Sequence, residues 1–254
     1  MHNLYKHKAI RTVLYLAVFL YLLTSSCLFN QPSAYGVQET DSDYQVRCEW
    51  NYAAKRWRYE VDIPKAIYEY FTNQPRGGDY SVYAYNELDD DWLGYTANSF
   101  LEIAERENWD DVDIINFVMS FVQILPYAED PTISGVLTEY PRYPIETMID
   151  GGGGVDCEDT VVLLVTILSE MGYDVALLLY AADEHMAAGV GISQSLVDAW
   201  DGEYPLTYLQ SEDDVLYAYC ETTGEGHRLG QKPDDITGSA EVLPITSTPE
   251  ESAE

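Results

Sequence analysis

The chain of 254 residues is 46% hydrophobic, enough to bury a real core, and its length favours one catalytic-size domain with appendages. Against 44 acidic residues stand 13 basic ones, a formal net charge of −31. This excludes the basic footprint of a nucleic-acid binder, so DNA and RNA are not expected partners. The acids are scattered along the chain and lysines number five, the pattern of a surface kept hydrated in high salt, where screening removes most of its self-repulsion; a halophilic source is expected.

The N-terminus reads as a targeting segment over residues 1–29. Lys6, Lys8 and Arg11 form a positive region, Thr12 to Leu23 is almost continuously apolar, and Thr24, Ser25 and Ser26 supply small residues before Cys27. The last four resemble a lipobox, which makes Cys27 a candidate lipidation site, with an uncleaved signal anchor as the alternative. Either way the rest of the chain is expected outside the cytoplasm, anchored to the membrane at the cell surface or secreted. Cys48, Cys157 and Cys220 remain after the leader, an odd number in an oxidising compartment. Cys48 and Cys220 are either a disulfide or two buried thiols.

Residues 30–43, polar and without hydrophobic periodicity, read as a linker. From Tyr44 to Asp62 apolar and polar residues alternate, the period of a strand pair, and Ile63 to Phe71 suits a short helix; residues 44–94 are expected to form a strand-rich N-terminal extension. The main domain is expected over 95–238. It opens with helices over Ala97 to Asn108 and Val112 to Leu125, the second ended by Pro126. A loop and four glycines lead to an apolar helix from Cys157 to Met171, stopped by Gly172. The period then changes: Val175 to Tyr180, His185 to Ile192, Leu206 to Leu209 and Val215 to Cys220 read as strands, and residues 239–254 as a disordered acidic tail. Helices followed by an antiparallel run of strands define an α+β domain.

A cysteine nucleophile requires thiolate character, a histidine base and a group to orient the imidazole. Cys157 follows Gly151 to Gly154, Val155 and Asp156 and stands where a helix begins, a position that lowers a thiol pKa. Asp156 can cap that helix and Asp159 sits in its first turn. Yet Asp156, Glu158 and Asp159 surround the thiol with negative charge, which opposes the helix dipole. Only His185 and His227 are histidines outside the leader. Glu221, at the end of an apolar strand and followed by Thr222 and Thr223, can hold an imidazole tautomer. Tyr140, Arg142 and Tyr143 precede the nucleophile in a loop and are candidates to line its cleft. No metal-ligand spacing and no phosphate-cradling loop appears, so neither a metal nor a cofactor is expected.

The run Phe121 to Tyr127, then Glu139 to Thr147, the glycines with Asp156, Cys157, Glu158 and Asp159, then His185 to Val190, then Glu221, Thr222 and Thr223 resembles the archaeal transglutaminase-like proteins in composition and order. The resemblance covers about residues 95 to 235 and implies a papain-like core, with a nucleophile at a helix N-terminus packed on an antiparallel sheet. Carried over, it makes Cys157 the nucleophile, His185 general base and acid, and Glu221 the orienting acid, although the family usually has Asp there. Gln123 stands where the glutamine of papain-like enzymes would donate to an oxyanion. The implied activity is acyl transfer through a thioester on a peptide or protein amide, with hydrolysis expected. Protein crosslinking, or an inactive surface-anchored binding module, are the alternatives.

Overall fold

The computed structural model describes residues 32–84, 90–130 and 139–245, with the short strands β4 (Thr132–Ile133) and β5 (Val136–Leu137) between the last two segments. The targeting segment with Cys27, and the end of the tail, lie outside the described residues.

The chain enters through an antiparallel meander of β1 (Ala34–Glu39), β2 (Asp43–Tyr52) and β3 (Lys55–Pro64). Alternation forms it: Val46, Cys48 and Trp50 on β2 and Trp57, Tyr59 and Ile63 on β3 turn inward and are buried. The β2–β3 turn is two residues, Ala53 and Ala54, both at positive φ (47° and 58°), the geometry of a hairpin turn that usually takes Asn or Gly. The stretch expected as a linker is largely strand β1. Tyr35 and Val37 pack against the core, and the Tyr35 hydroxyl donates to the Met148 carbonyl; a run this short carries too few apolar residues to register as periodic.

Helices α1 (Lys65–Thr72), α2 (Ser81–Ala84), α3 (Asp90–Glu107) and α4 (Asp111–Val122) follow. Helix α3 begins earlier than the expected Ala97, and α4 is capped by Asp110, whose carboxylate accepts the Asp113 N–H at 2.9 Å. Rings of Trp50, Phe100, Phe117 and Phe121 meet at centroid distances of 5.1 to 6.4 Å, joining the meander to α3 and α4 in one core. The segment expected as an extension is therefore built into the main body, since its inward residues belong to the same apolar cluster as the central helix.

That central helix is α6 (Cys157–Glu170), reached through α5 (Pro144–Asp150). From Glu158 to Leu168 every residue of α6 is buried, because it is enclosed on all sides. One side rests on a five-stranded antiparallel sheet, order β10-β6-β7-β9-β8, made of β6 (Val175–Tyr180), β7 (His185–Ile192), β8 (Tyr208–Gln210), β9 (Leu216–Cys220) and β10 (Glu241–Ile245), with α7 (Gln194–Ala199) after β7. Leu177, Met186, Ala188, Val190 and Ala218 face α6, while Leu178, Tyr180, Ala187, Tyr217 and Tyr219 form a second cluster on the far face. Strands covered on both faces read as continuous apolar runs, which is why β6 and β7 fall where the sequence places them. Strand β10, by contrast, lies where a disordered tail is expected: Glu241–Ile245 pairs with β6, and Val242 packs on the far-face cluster. The class is mixed α+β with antiparallel sheets. Among the described residues no helix is long and apolar enough to cross a membrane, and Cys48 and Cys220 are buried free thiols without a disulfide between them.

Candidate functional site

Cys157 is the first residue of α6, and the glycine run sets its entry. Gly151 closes α5, its N–H donating to the Thr147 carbonyl at 3.0 Å. Gly154 alone of the four has positive φ (102°), and a Cβ there would stand 2.4 Å from Ala128 Cβ. The close approach is to the chain's own loop: Val155 N–H donates to the Pro126 carbonyl and Ala128 N–H to the Val155 carbonyl, each at 3.0 Å. This stitch holds Tyr127 and Asp130 beside the thiol, in a cleft of about 480 Å³ that Tyr80, Cys157 and His185 also line.

Glu221 follows β9. Ala188 pairs with Cys220, and one step further along the register puts Glu221 opposite Ala187, so His185 is its diagonal neighbour on the same face. His185 Nε2 lies 3.2 Å from Glu221 Oε2 and 3.3 Å from the Tyr219 hydroxyl, which itself donates to Glu221 Oε2 at 2.6 Å. The other oxygen, Oε1, accepts from the Thr222 N–H at 3.0 Å, the Thr223 N–H at 2.9 Å and the Thr223 hydroxyl at 2.6 Å. Burial pushes the Glu221 pKa up, but hydrogen bonds from His185, Thr223 and Tyr219 outweigh it and hold the carboxyl at about 2. An ionised carboxylate only accepts, so Nε2 carries the proton and, in the neutral ring, Nδ1 is the nitrogen left to accept. The first turn of α6 is fastened to the same loop by the Thr160 and Thr222 hydroxyls, 2.9 Å apart.

The thiol end is the electrostatic opposite. Cys157 Sγ is 3.4 Å from Glu158 Oε2, while the Met186 N–H points at the sulfur. Burial first, then Glu158 and Asp156, push the thiol pKa up to about 12, against the Met186 N–H. Asp156 is pushed up to about 7 by burial and by Glu158 and Asp130. It occupies the N-cap position without making a side-chain cap bond. Asp159 is pushed up to about 8 by burial, with Arg142 pulling down and Asp156 adding to the rise. Cys157 and His185 therefore share a cleft, and the thiol's hydrogen bonds go to Glu158 and Met186.

The remaining expected residues stand elsewhere. Gln123 is buried, and its amide donates to the Glu221 carbonyl at 2.8 Å and the His227 carbonyl at 3.0 Å while accepting the Gly226 N–H at 3.1 Å. Both amide hydrogens are engaged, so Gln123 positions the loop that carries Glu221 and has none left for an oxyanion. Arg142, Tyr140 and Tyr143 support the cleft from behind instead of lining it. The Arg142 guanidinium binds Asp159 and lies 3.3 Å from both Asp130 and Asp150, and the Arg142 backbone N–H donates to Asp159 at 2.8 Å. The Tyr140 hydroxyl donates to Glu146 at 3.0 Å, beside Arg76, which pairs with Glu146 at 2.6 Å. Tyr143 is buried against Phe71 and Tyr83. Sequence reasoning missed Tyr219, although it sits two residues before Glu221 on one strand and hence on one face. It also missed Asp130, for which no local signal existed. Comparisons with protein-family models, with curated proteins and with solved structures find no match for this chain.

Proposed function

We propose that the protein is an extracytoplasmic cysteine-dependent acyl-transfer enzyme of transglutaminase-like, papain-like arrangement, acting on a peptide or protein amide, with Cys157 as nucleophile, His185 as general base and acid, and Glu221 as its orienting acid. The observation that carries this reading is the Glu221 cluster: five donors hold one buried carboxylate ionised beside an imidazole that lines the same cleft as a helix-terminal thiol. In the reaction, Cys157 sulfur bonds to the amide carbon while its proton passes to His185 Nδ1. The C–N bond then breaks as the imidazolium protonates the departing amine. Water then adds to the thioester with His185 taking its proton, the C–S bond breaks, and the proton returns to sulfur. A lysine amine in place of that water would give a crosslink. The acidic wall favours a second reading, an inactive surface-bound module, because a thiol raised to about 12 is a poor resting nucleophile.

Alkylation separates the two. Iodoacetamide should label Cys157, read by peptide mass, and His185→Ala should slow it at least tenfold; turnover of a peptide-amide library in high salt should vanish in Cys157→Ser. Equal labelling in wild type and His185→Ala, with no library turnover, overturns the enzyme.

A further inference from the structure

Three carboxylates from two separate stretches of chain meet on one wall of the cleft. Asp130, Asp156 and Glu158 are each 6% exposed, and one oxygen of each lies within 4.8 Å of the others. Asp130 is engaged on both sides, its oxygens accepting from the Tyr140 N–H and from Arg142. Asp156 Oδ1 and Glu158 Oε1 are buried without a hydrogen-bond partner. Buried charge without a partner is costly, and two things relieve it here: a proton shared between the acids, or a cation among them.

The donor chemistry and spacing favour the cation. Every donor is a carboxylate oxygen, the preference of hard ions. Mg²⁺ gives up its waters reluctantly and usually takes one or two carboxylates, whereas three carboxylates suit the larger, more flexible shell of Ca²⁺, in which oxygens about 2.4 Å from the ion lie at most about 4.8 Å apart. The cluster's oxygens all lie within 4.8 Å of one another, close enough to share one ion. The start of α6 opposes a cation with roughly half a positive charge, a small term against three carboxylates. All three residues line the cleft, whose open side leaves room for the waters that complete a Ca²⁺ shell.

We propose that Asp130, Asp156 and Glu158 bind a divalent cation, Ca²⁺ by the number of carboxylates, on the wall of the Cys157 cleft. The ion draws on Glu158, whose Oε2 faces the thiol at 3.4 Å, and lowers the negative potential at the sulfur. That consequence rests on Cys157 being the nucleophile; the site itself does not.

The test uses the purified full chain and Tb³⁺, whose luminescence is excited through nearby tyrosine; Tyr80 and Tyr127 line the same cleft. We expect saturable luminescence displaced by CaCl₂, with MgCl₂ at least tenfold less effective and NaCl at matched ionic strength without effect. Asp156→Asn and, as a second variant, Glu158→Gln should each weaken Tb³⁺ binding at least tenfold while far-ultraviolet circular dichroism stays that of the wild type. The exposed Asp201→Asn should bind normally, and so should Cys157→Ser, which keeps this outcome separate from that of the enzyme. Tb³⁺ binding unaltered in both cluster variants, or NaCl displacing it as well as CaCl₂, overturns the site and leaves the shared proton.

Discussion

The two ends of the cleft bury carboxylates to similar depth and treat them oppositely. Glu221 is 1% exposed and held at about 2, whereas Asp156 is 6% exposed and pushed up to about 7. Burial raises both. The difference lies in what surrounds them: Glu221 meets backbone and side-chain donors and an imidazole, while Asp156 meets Glu158 and Asp130. Depth therefore does not set the charge state of a buried acid; the count and sign of its neighbours do. One end is arranged to keep a single charge fixed, and the other holds more negative charge than its protein partners compensate.

Arg142 is the main protein cation at the second end, facing Asp130, Asp150 and Asp159. Its replacement by Ala should give the largest effect of all, because truncating one partner of a buried pair leaves uncompensated charge at about 3–5 kcal/mol. For a body of this size that is a fall in Tm of about 10 °C, measurable by calorimetry at neutral pH. A loss under 1 kcal/mol would mean that the acids facing Arg142 are already neutral.

Glu221→Gln attacks the other end. An amide cannot accept from every donor that surrounds the carboxylate, and an N–H placed toward His185 turns Nε2 into the acceptor, which moves the imidazole proton to Nδ1 and disables the base. Under the proposed mechanism, amide turnover should drop by roughly a hundred- to ten-thousandfold, the usual contribution of general base catalysis, with the fold kept. The same variant has a pH signature. Because the folded pKa lies below the usual 4.5, the carboxylate's stabilisation is fully present above that pH and is lost as pH falls toward about 2. The difference between wild type and Glu221→Gln in unfolding free energy should therefore shrink by about 3 kcal/mol across that window. A difference flat with pH would show that Glu221 is not held ionised.

The contrast between the ends also explains what could be read from the chain. Strands β6 and β7 were legible because they are buried on both faces, and His185 and Glu221 because each ends or begins such a run beside a distinctive neighbour. Asp156, Glu158 and Asp159 were visible as an objection. Their cause was not, since Asp130 and Arg142 come from the loop ahead of α5 and meet them only in the fold. Strand β1 escaped notice because an edge strand that buries part of one face shows little apolar pattern, and β10 because its short apolar run, which packs on both sheet faces through Val242, Leu243 and Ile245, opens a tail rich in Ser, Thr, Glu and Pro. The Ala53–Ala54 turn carries no Asn or Gly to announce a hairpin, and only the alternation on either side reveals it.

The smallest change, Tyr219→Phe, sharpens the comparison most finely. It removes one donor of the five around Glu221, the hydroxyl at 2.6 Å, and leaves the three bonds to Oε1 and the imidazole in place. A hydrogen bond to a charged group contributes about 1.5–3 kcal/mol, and four remaining donors should hold the loss near the lower figure. Turnover should fall less than tenfold, because the His185 tautomer depends on Glu221 and not on the phenol, and the acid window of Glu221 should move upward. The hydroxyl also lies 3.3 Å from His185 Nε2. If Tyr219→Phe reduces turnover as severely as Glu221→Gln at unchanged stability, the phenol positions the imidazole directly, and His185 is oriented by a tyrosine and a carboxylate acting together.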